Sequence, residues 1–239
     1  MEICVIHGSN NKGNTDKTIE IIKNQLNDFE NIKYWDIYLH KDMPHFCNGC
    51  YSCLITGNYA GENCPHKQFT HPILEKLLRS DGIIIGSPSY ALAETAQIKA
   101  LFDHFACTYI CHRPNKEMFS KIGFVVSTAA GAGTKRVIST ISTNLLYWGI
   151  NRIVKCGINI WEIDWDKIPQ KRRNRFEKKL CLKAKMFYKL TKKRLKIIPN
   201  LKRNILSFVF KQMIKKYDNS NVDKIYWKTK EWITSVQNK

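Results

Sequence analysis

The chain has 239 residues, 44% of them apolar and 11% aromatic, which is enough to bury a large core and excludes wholesale disorder. Its charge is uneven: residues 1–165 carry 16 basic and 15 acidic side chains, whereas residues 166–239 carry 23 and 5. At roughly 150 residues per domain, this suits one full domain over 1–165 and a basic helical C-terminal extension over 166–239, with the boundary near Trp165. The opening residues, Met1 to Gly8, turn polar too soon for a secretory segment, and no apolar run approaches ~18 residues, so the expected location is the cytoplasm. Nine cysteines, an odd number, then point to metal binding or redox chemistry rather than to disulfides.

Residues 2–7, rich in Ile, Val and Cys, predict a buried strand that stops in the polar loop Gly8-Ser9-Asn10-Asn11-Lys12-Gly13-Asn14-Thr15. A helix follows, with Ile19, Ile22 and Leu26 on one face and Asp16 in its first turn. Further strands are predicted over 32–39, 81–88, 121–127 and 152–161. Helices are predicted over 74–79 and 93–106 and, after the loop 127–133, through Ile138, Ile141, Leu145 and Trp148. This alternation predicts an α/β fold, a doubly wound five-stranded parallel sheet with helices on both faces. The loops 8–15, 87–91 and 127–133 then leave the carboxyl ends of three strands, where open parallel sheets bind ligands. Beyond 165, basic helical segments are predicted over 170–196, 201–217 and 222–236.

Between a strand and a helix, the loop 8–15 offers unsatisfied N–H groups at the positive end of a helix dipole, with Gly13 in the turn. Ser9, Asn11, Asn14 and Thr15 add short side-chain donors that can reach a phosphate monoester. The loop matches neither G-x-G-x-x-G nor a Walker sequence, so a terminal phosphate fits better than a dinucleotide. The alternative is a polar turn in which Ser, Asn and Thr serve as caps.

Cys47-Asn48-Gly49-Cys50-Tyr51-Ser52-Cys53, followed by Cys64-Pro65, marks a Cys-rich insertion over 44–66. A compact C-x2-C-x2-C run with a Cys-Pro is a pattern by which four thiolates hold a four-iron four-sulfur cluster. Zinc on four thiolates and a metal-free loop packed beside the site are the alternatives. His45 and His66 flank the run, and Cys107 and Cys111 would share a helix face if the helix from 93 runs that far.

Three stretches in order, GSNNKGNT (8–15), SDGIIIGSPSYALAETAQIKALFDHF (80–105) and STAAGAG (127–133), make the chain resemble a known family. This is the flavodoxin-like NADPH-dependent FMN reductases, with their iron-sulfur flavoprotein relatives. The resemblance covers about residues 1–160 and implies a flavodoxin-like fold that binds FMN with its phosphate in the first loop. It implies that Pro88, Ser89, Tyr90 and Ala91 border the isoalloxazine, and that Thr128, Ala129, Gly131 and Gly133 border its pyrimidine side. Small residues there permit close backbone approach of a flat ring, and N–H donors near N1 and O2 would stabilise the anionic reduced flavin. No catalytic side chain is then required, because the chemistry takes place on the flavin.

The expected activity is an NAD(P)H-dependent FMN oxidoreductase acting on a small acceptor such as a quinone, a nitro compound or an activated alkene. The resemblance also implies a homodimer or homotetramer. The alternative is an iron-sulfur flavoprotein that exchanges electrons with a ferredoxin-like partner through a cluster on Cys47, Cys50, Cys53 and Cys64. The relatives place the fourth cysteine nearer than this chain does. His104 follows Asp103 where the family often has Arg, which the resemblance ties to a subunit contact.

The cationic tail admits three readings. Lys171-Arg172-Arg173-Asn174-Arg175 and the lysines interleaved with Leu201, Ile205, Phe208 and Val209 suit nonspecific nucleic-acid binding or an interfacial helix on anionic lipid. The third reading, favoured by Trp227 and Trp232, is a helical extension packed on the domain or on a second subunit. No specific nucleic-acid partner is expected.

Overall fold

The structure, a computed structural model, describes residues 1–10 and 12–233. The first half runs β1 (Glu2–His7), α1 (Asn14–Asn27), β2 (Lys33–Tyr38), the short α2 (Leu39–Asp42) and α3 (Ser52–Ile55), α4 (Lys67–Arg79) and β3 (Gly82–Pro88). The second runs α5 (Ala96–His104), β4 (Ile122–Ala129), α6 (Thr134–Tyr147), β5 (Arg152–Asn159), α7 (Gln170–Lys192), α8 (Leu201–Lys215) and α9 (Val222–Thr229). All neighbouring strands pair in parallel in the order β2-β1-β3-β4-β5, which is the flavodoxin-like arrangement. Asn11 and the end of the last expected helix, 234–236, lie outside the described residues.

A parallel sheet covered on both faces must be apolar on both, and β3 and β4 are buried along their whole length. On one face Ile6, Ile83, Ile85 and Val125 meet α4, α5 and α6 through Ile73, Ile98, Leu101 and Ile141. On the other, Val5, Ile84 and Phe124 meet Ile19 and Ile22 of α1 together with Leu180, Ala184 and Phe187 of α7. The Phe187 ring, fully buried, sits 5.6 Å from Phe124. The first basic helix therefore covers the sheet beside α1 and turns its cations to water. The start of α1 lies close over β3, where a Cβ on Gly86 would come within 2.5 Å of Ile19.

Several helices differ from the sequence reading: α7 stops at Lys192, α8 at Lys215 and α9 at Thr229, short of the expected 196, 217 and 236, because the chain turns at each of those points. The fourth begins at Lys67 and runs through Pro72, which had masked it because a proline reads as a helix stop. The fifth starts at Ala96, capped by Thr95, and ends at His104, so Cys107 falls in a 3-10 turn and shares no helix face with Cys111.

The last two helices form a corner. Ile214, Tyr226, Trp227 and Ile233 pack together, while the Tyr226 hydroxyl donates to the Pro114 carbonyl at 2.7 Å and Trp227 Nε1 to that of His112 at 2.6 Å. α8 rests beside the amino ends of β4 and β5. There Asn200 N donates to Asn151 Oδ1 at 2.7 Å and Arg203 Nη1 to the Phe119 carbonyl at 2.8 Å.

Candidate active site

The strand order reverses at β1, with β2 on one side and β3 on the other, which leaves a crevice at their carboxyl ends. α1 and α6 both begin there. Their cap residues are Gly13 and Gly133, and no side-chain cap satisfies their first N–H groups among the described residues. α5, in contrast, is capped by Thr95, whose hydroxyl accepts from Ile98 N. Two bare helix N-termini thus turn donors and positive dipole ends toward one place, which suits an anion and an electron-rich ring edge.

The short donors of the first loop are largely engaged within the protein. Thr15 Oγ1 and Thr128 Oγ1, both buried, share a hydrogen bond of 2.7 Å that ties the loop 8–15 to the loop 127–133. Asn14 Nδ2 donates to the carbonyls of Glu162 and Ile163 at 3.1 and 2.9 Å, drawing the segment after β5 over the start of α1. Ser9 Oγ donates to Asp16 Oδ2 at 2.8 Å. The backbone around Gly13 and the N–H groups of α1 remain for a ligand, together with the Asn14 Oδ1 atom, which is buried without a partner among the described residues. Asn11 lies outside the described residues.

The other two loops touch. Pro88 pairs in register with Thr128, and Ser89 N donates to the Thr128 carbonyl at 2.8 Å, next to the buried Ala129. Gly133 has φ 106°, and a Cβ there would overlap Ser89 Oγ and stand 3.1 Å from Leu92 Cα. Ser89 Oγ and Ser127 Oγ are buried with no partner among the described residues. Ala91 and Leu92 hold left-handed backbone at φ 48° and 64°, a strained turn closed by the Tyr90–Ala93 bridge. A Cβ at Gly131 would meet only the Trp161 ring, at 3.5 Å, so space remains over that backbone.

The sequence reading missed two residues here. Trp161 had been placed at the end of the fifth strand, but β5 stops at Asn159, and Trp161 turns out at φ 62° to stand exposed with Tyr90 and Leu92 along the crevice rim. The second is His7, whose Nδ1 lies 2.7 Å from Asp16 Oδ1 and whose Nε2 lies 2.9 Å from Asp36 Oδ1. A carboxylate on each nitrogen favours the imidazolium form, in which both nitrogens donate. Burial opposes that charge, but the bonds to Asp16 and Asp36 outweigh it and hold the His7 pKa above the usual histidine value. Burial likewise opposes the charge on Asp36, and His7 and Lys23 reverse it, holding that carboxyl below the usual range. The imidazolium offsets a carboxylate that would otherwise face an anion at the start of α1. A cavity of about 750 Å³ opens beside it, lined by His7, Ser9, Lys12, Gly13, Lys17 and Tyr38. The available signal was a histidine ending a buried strand with Asp16 in the next helix's first turn.

The cysteine insertion lies against α5 and α9. Cys47 and Cys50 are exposed, Cys53 is half-buried and Cys64 is buried. Among the described residues no group of three or more His, Cys, Asp or Glu stands in metal-holding geometry. Burial raises the Cys64 pKa against the hydrogen bond from the His66 backbone. A hydrogen bond with the buried Cys107, helped by the Arg113 charge, lowers Cys53 to about 6.

Arg113, wholly buried, clamps this loop. Its Nη1 donates to the carbonyls of Thr56 and Gly57 at 3.0 Å each, its Nη2 donates to that of Cys53, and its Nε lies 3.1 Å from Asp223 Oδ1 on α9. The other Asp223 oxygen meets His112 Nδ1 at 2.8 Å. Burial disfavours the His112 cation, but the interactions with Asp223 and Cys111 prevail and raise its pKa to about 9. His104, which stands where the family often has Arg, is buried, with Nε2 3.0 Å from the His45 carbonyl, and so supports the cysteine loop from inside.

Known proteins agree with this architecture. An iron-sulfur flavoprotein of Clostridioides difficile is 30% identical over 152 residues, which is 61% of this chain and 62% of that protein. One of Methanocaldococcus jannaschii is 27% identical over 128 residues, 53% and 59% of the two chains. The chain spans between 48% and 64% of the length of the curated relatives it matches. An FMN-dependent NADH-azoreductase of Bacillus anthracis, solved in complex with FMN, shares the fold at TM-score 0.59 and 13% identity, over 79% of this chain and 100% of that one. The family profile of NADPH-dependent FMN reductases matches residues 1–156, from the first strand into the fifth and through all three crevice loops. This chain belongs to the NADPH-dependent FMN reductase family.

Proposed function

We propose that the protein is an FMN-dependent oxidoreductase that draws on NAD(P)H and reduces a small acceptor such as a quinone, a nitro compound or an activated alkene. The observation that carries this reading is the meeting of two helix N-termini without side-chain caps at one glycine-lined crevice. The residues fit the cofactor: Ser89 Oγ is a buried donor without a partner among the described residues, and the backbone at Gly131 is open. When bound, FMN would supply the hydride and electron chemistry. Gly13 and the first N–H groups of α1, with Ser9, Asn14 and Thr15 shaping the loop, would hold the phosphate, and the sequence offers Asn11 as a further donor. Pro88, Ser89, Tyr90 and Ala91 would border one side of the ring, and Thr128, Ala129, Gly131 and Gly133 the other. The start of α6 would favour negative charge at the ring's polar edge.

The test is reconstitution with FMN followed by anaerobic mixing with NADPH and NADH. Flavin retention, bleaching by either nucleotide and recovery with an acceptor are expected. Pro88→Gly and Gly131→Val should each weaken FMN retention, and unchanged flavin content in both would remove the ring-loop assignment.

The cysteine loop favours a second reading, an iron-sulfur flavoprotein that serves a ferredoxin-like partner. Its support is the C-x2-C-x2-C run with Cys64 in the same insertion and the name that the curated relatives carry. Cys47, Cys50, Cys53 and Cys64 would hold the cluster. About four iron per chain after anaerobic purification, lost in Cys50→Ser while FMN stays bound, would support it. Iron-free protein that steadily oxidises NADPH would leave the reductase reading.

A further inference from the structure

α8 carries its apolar residues on the wrong side for a packed helix. Ile214 is its one buried residue, and Arg203 and Phe210 share the inward face, touching the Phe119 carbonyl and the Tyr147 ring. The outward face presents Leu201 at 73% exposure, Phe208 at 64%, Ile205 and Val209, and the turn before it adds Leu195 and Ile198, each 79% exposed. At i, i+4, i+7 and i+8 the four helical residues form one ridge, flanked by Lys202, Lys211, Lys215 and Lys216.

We propose that this ridge docks on an anionic lipid surface, with α8 lying in the interface, its apolar side chains entering the headgroup boundary and its lysines meeting lipid phosphates. Each alternative occupant conflicts with one half of the pattern. Nucleic acid would satisfy the lysines but set an exposed apolar ridge against phosphates. A second copy of the ridge would cover the apolar residues but press lysines on lysines, within a segment that holds 23 basic and 5 acidic residues. An anionic bilayer satisfies both. No helix among the described residues is long and apolar enough to cross a membrane, so the contact is superficial.

The test is co-sedimentation of the full chain with phosphatidylcholine vesicles made with and without phosphatidylglycerol. Binding is expected only with the anionic lipid, weakening as salt rises. Phe208→Asp should abolish it, and Lys211→Glu and Lys215→Glu should each weaken it roughly fivefold or more. All three positions lie outside the crevice, so flavin content and circular dichroism serve as folding controls. Equal binding to neutral vesicles, or binding that Phe208→Asp leaves intact, overturns the proposal. So does retention on DNA without retention on vesicles, or a dimer that forms through the ridge and leaves vesicles unbound.

Discussion

Gly133 joins two loops at a point where backbone conformation and space both demand glycine. Its φ of 106° strains any L-residue, and an added Cβ would push on Ser89. Gly133→Ala is expected to cost about 1–3 kcal/mol, read from denaturant midpoints, and to weaken FMN more than NADPH-independent properties such as overall helicity. Asp223 has a different role, neutralising a buried cation. Asp223→Asn strands Arg113 and should destabilise by about 3–5 kcal/mol. His112 adds a pH signature. Its folded pKa, about 9, lies above the unfolded 6.5, so its pairing with Asp223 stabilises fully below the lower value and is lost as pH rises through the higher one. The stability gap between the protein and His112→Gln should therefore close in alkaline solution, and a gap that ignores pH would refute the ion pair. Crevice residues such as Pro88 and Gly131 were legible in the sequence because strand ends marked by Gly, Ser and Pro are local signals. His7, Trp161 and Arg113 were not, because each acquires its role from partners remote in the chain: Asp36, Gly131 and the carbonyls of Cys53 to Tyr59.

Among the elements, α7 shows how composition can hide a core helix. Leu180, Ala184, Phe187 and Thr191 recur at helical spacing and are fully buried, yet they are diluted by lysines and arginines that point to water. Phe187→Ala should cost about 3–5 kcal/mol, measurable by urea unfolding, and a chain ended at 165 is expected to lose this layer and fail to fold. A change within error at Phe187 would mean that the helix is dispensable. The five strands were legible because a parallel sheet buried on both faces leaves continuous Ile and Val runs. α4 was clipped by Pro72, and α5 ended early because Phe105 and the 3-10 turn at Ala106–Thr108 bend toward the cysteine loop. Arg113 links that loop to α9, so the two should open together. Native-state hydrogen exchange should show one shared opening free energy for residues 53–59 and α9, lowered equally in both by Asp223→Asn.

At the scale of the molecule, the sheet has two ends with separate characters. The carboxyl ends of β1, β3 and β4 carry the crevice, whereas α8 is held at the amino ends of β4 and β5 through Asn151, Arg152 and Phe119. The doubly wound architecture was evident from strand and helix alternation, but this polarity was not, because it depends on side-chain contacts across about 50 residues of chain or more. A protein seated on lipid through α8 would face its crevice toward the water, like a cup resting on its base. Oxidants dissolved in the aqueous phase would then reach the crevice freely, while a long-tailed quinone buried among acyl chains would remain beneath the protein and out of range. Adding anionic vesicles should consequently leave turnover of a water-soluble acceptor unchanged and give no advantage to a membrane-dissolved one.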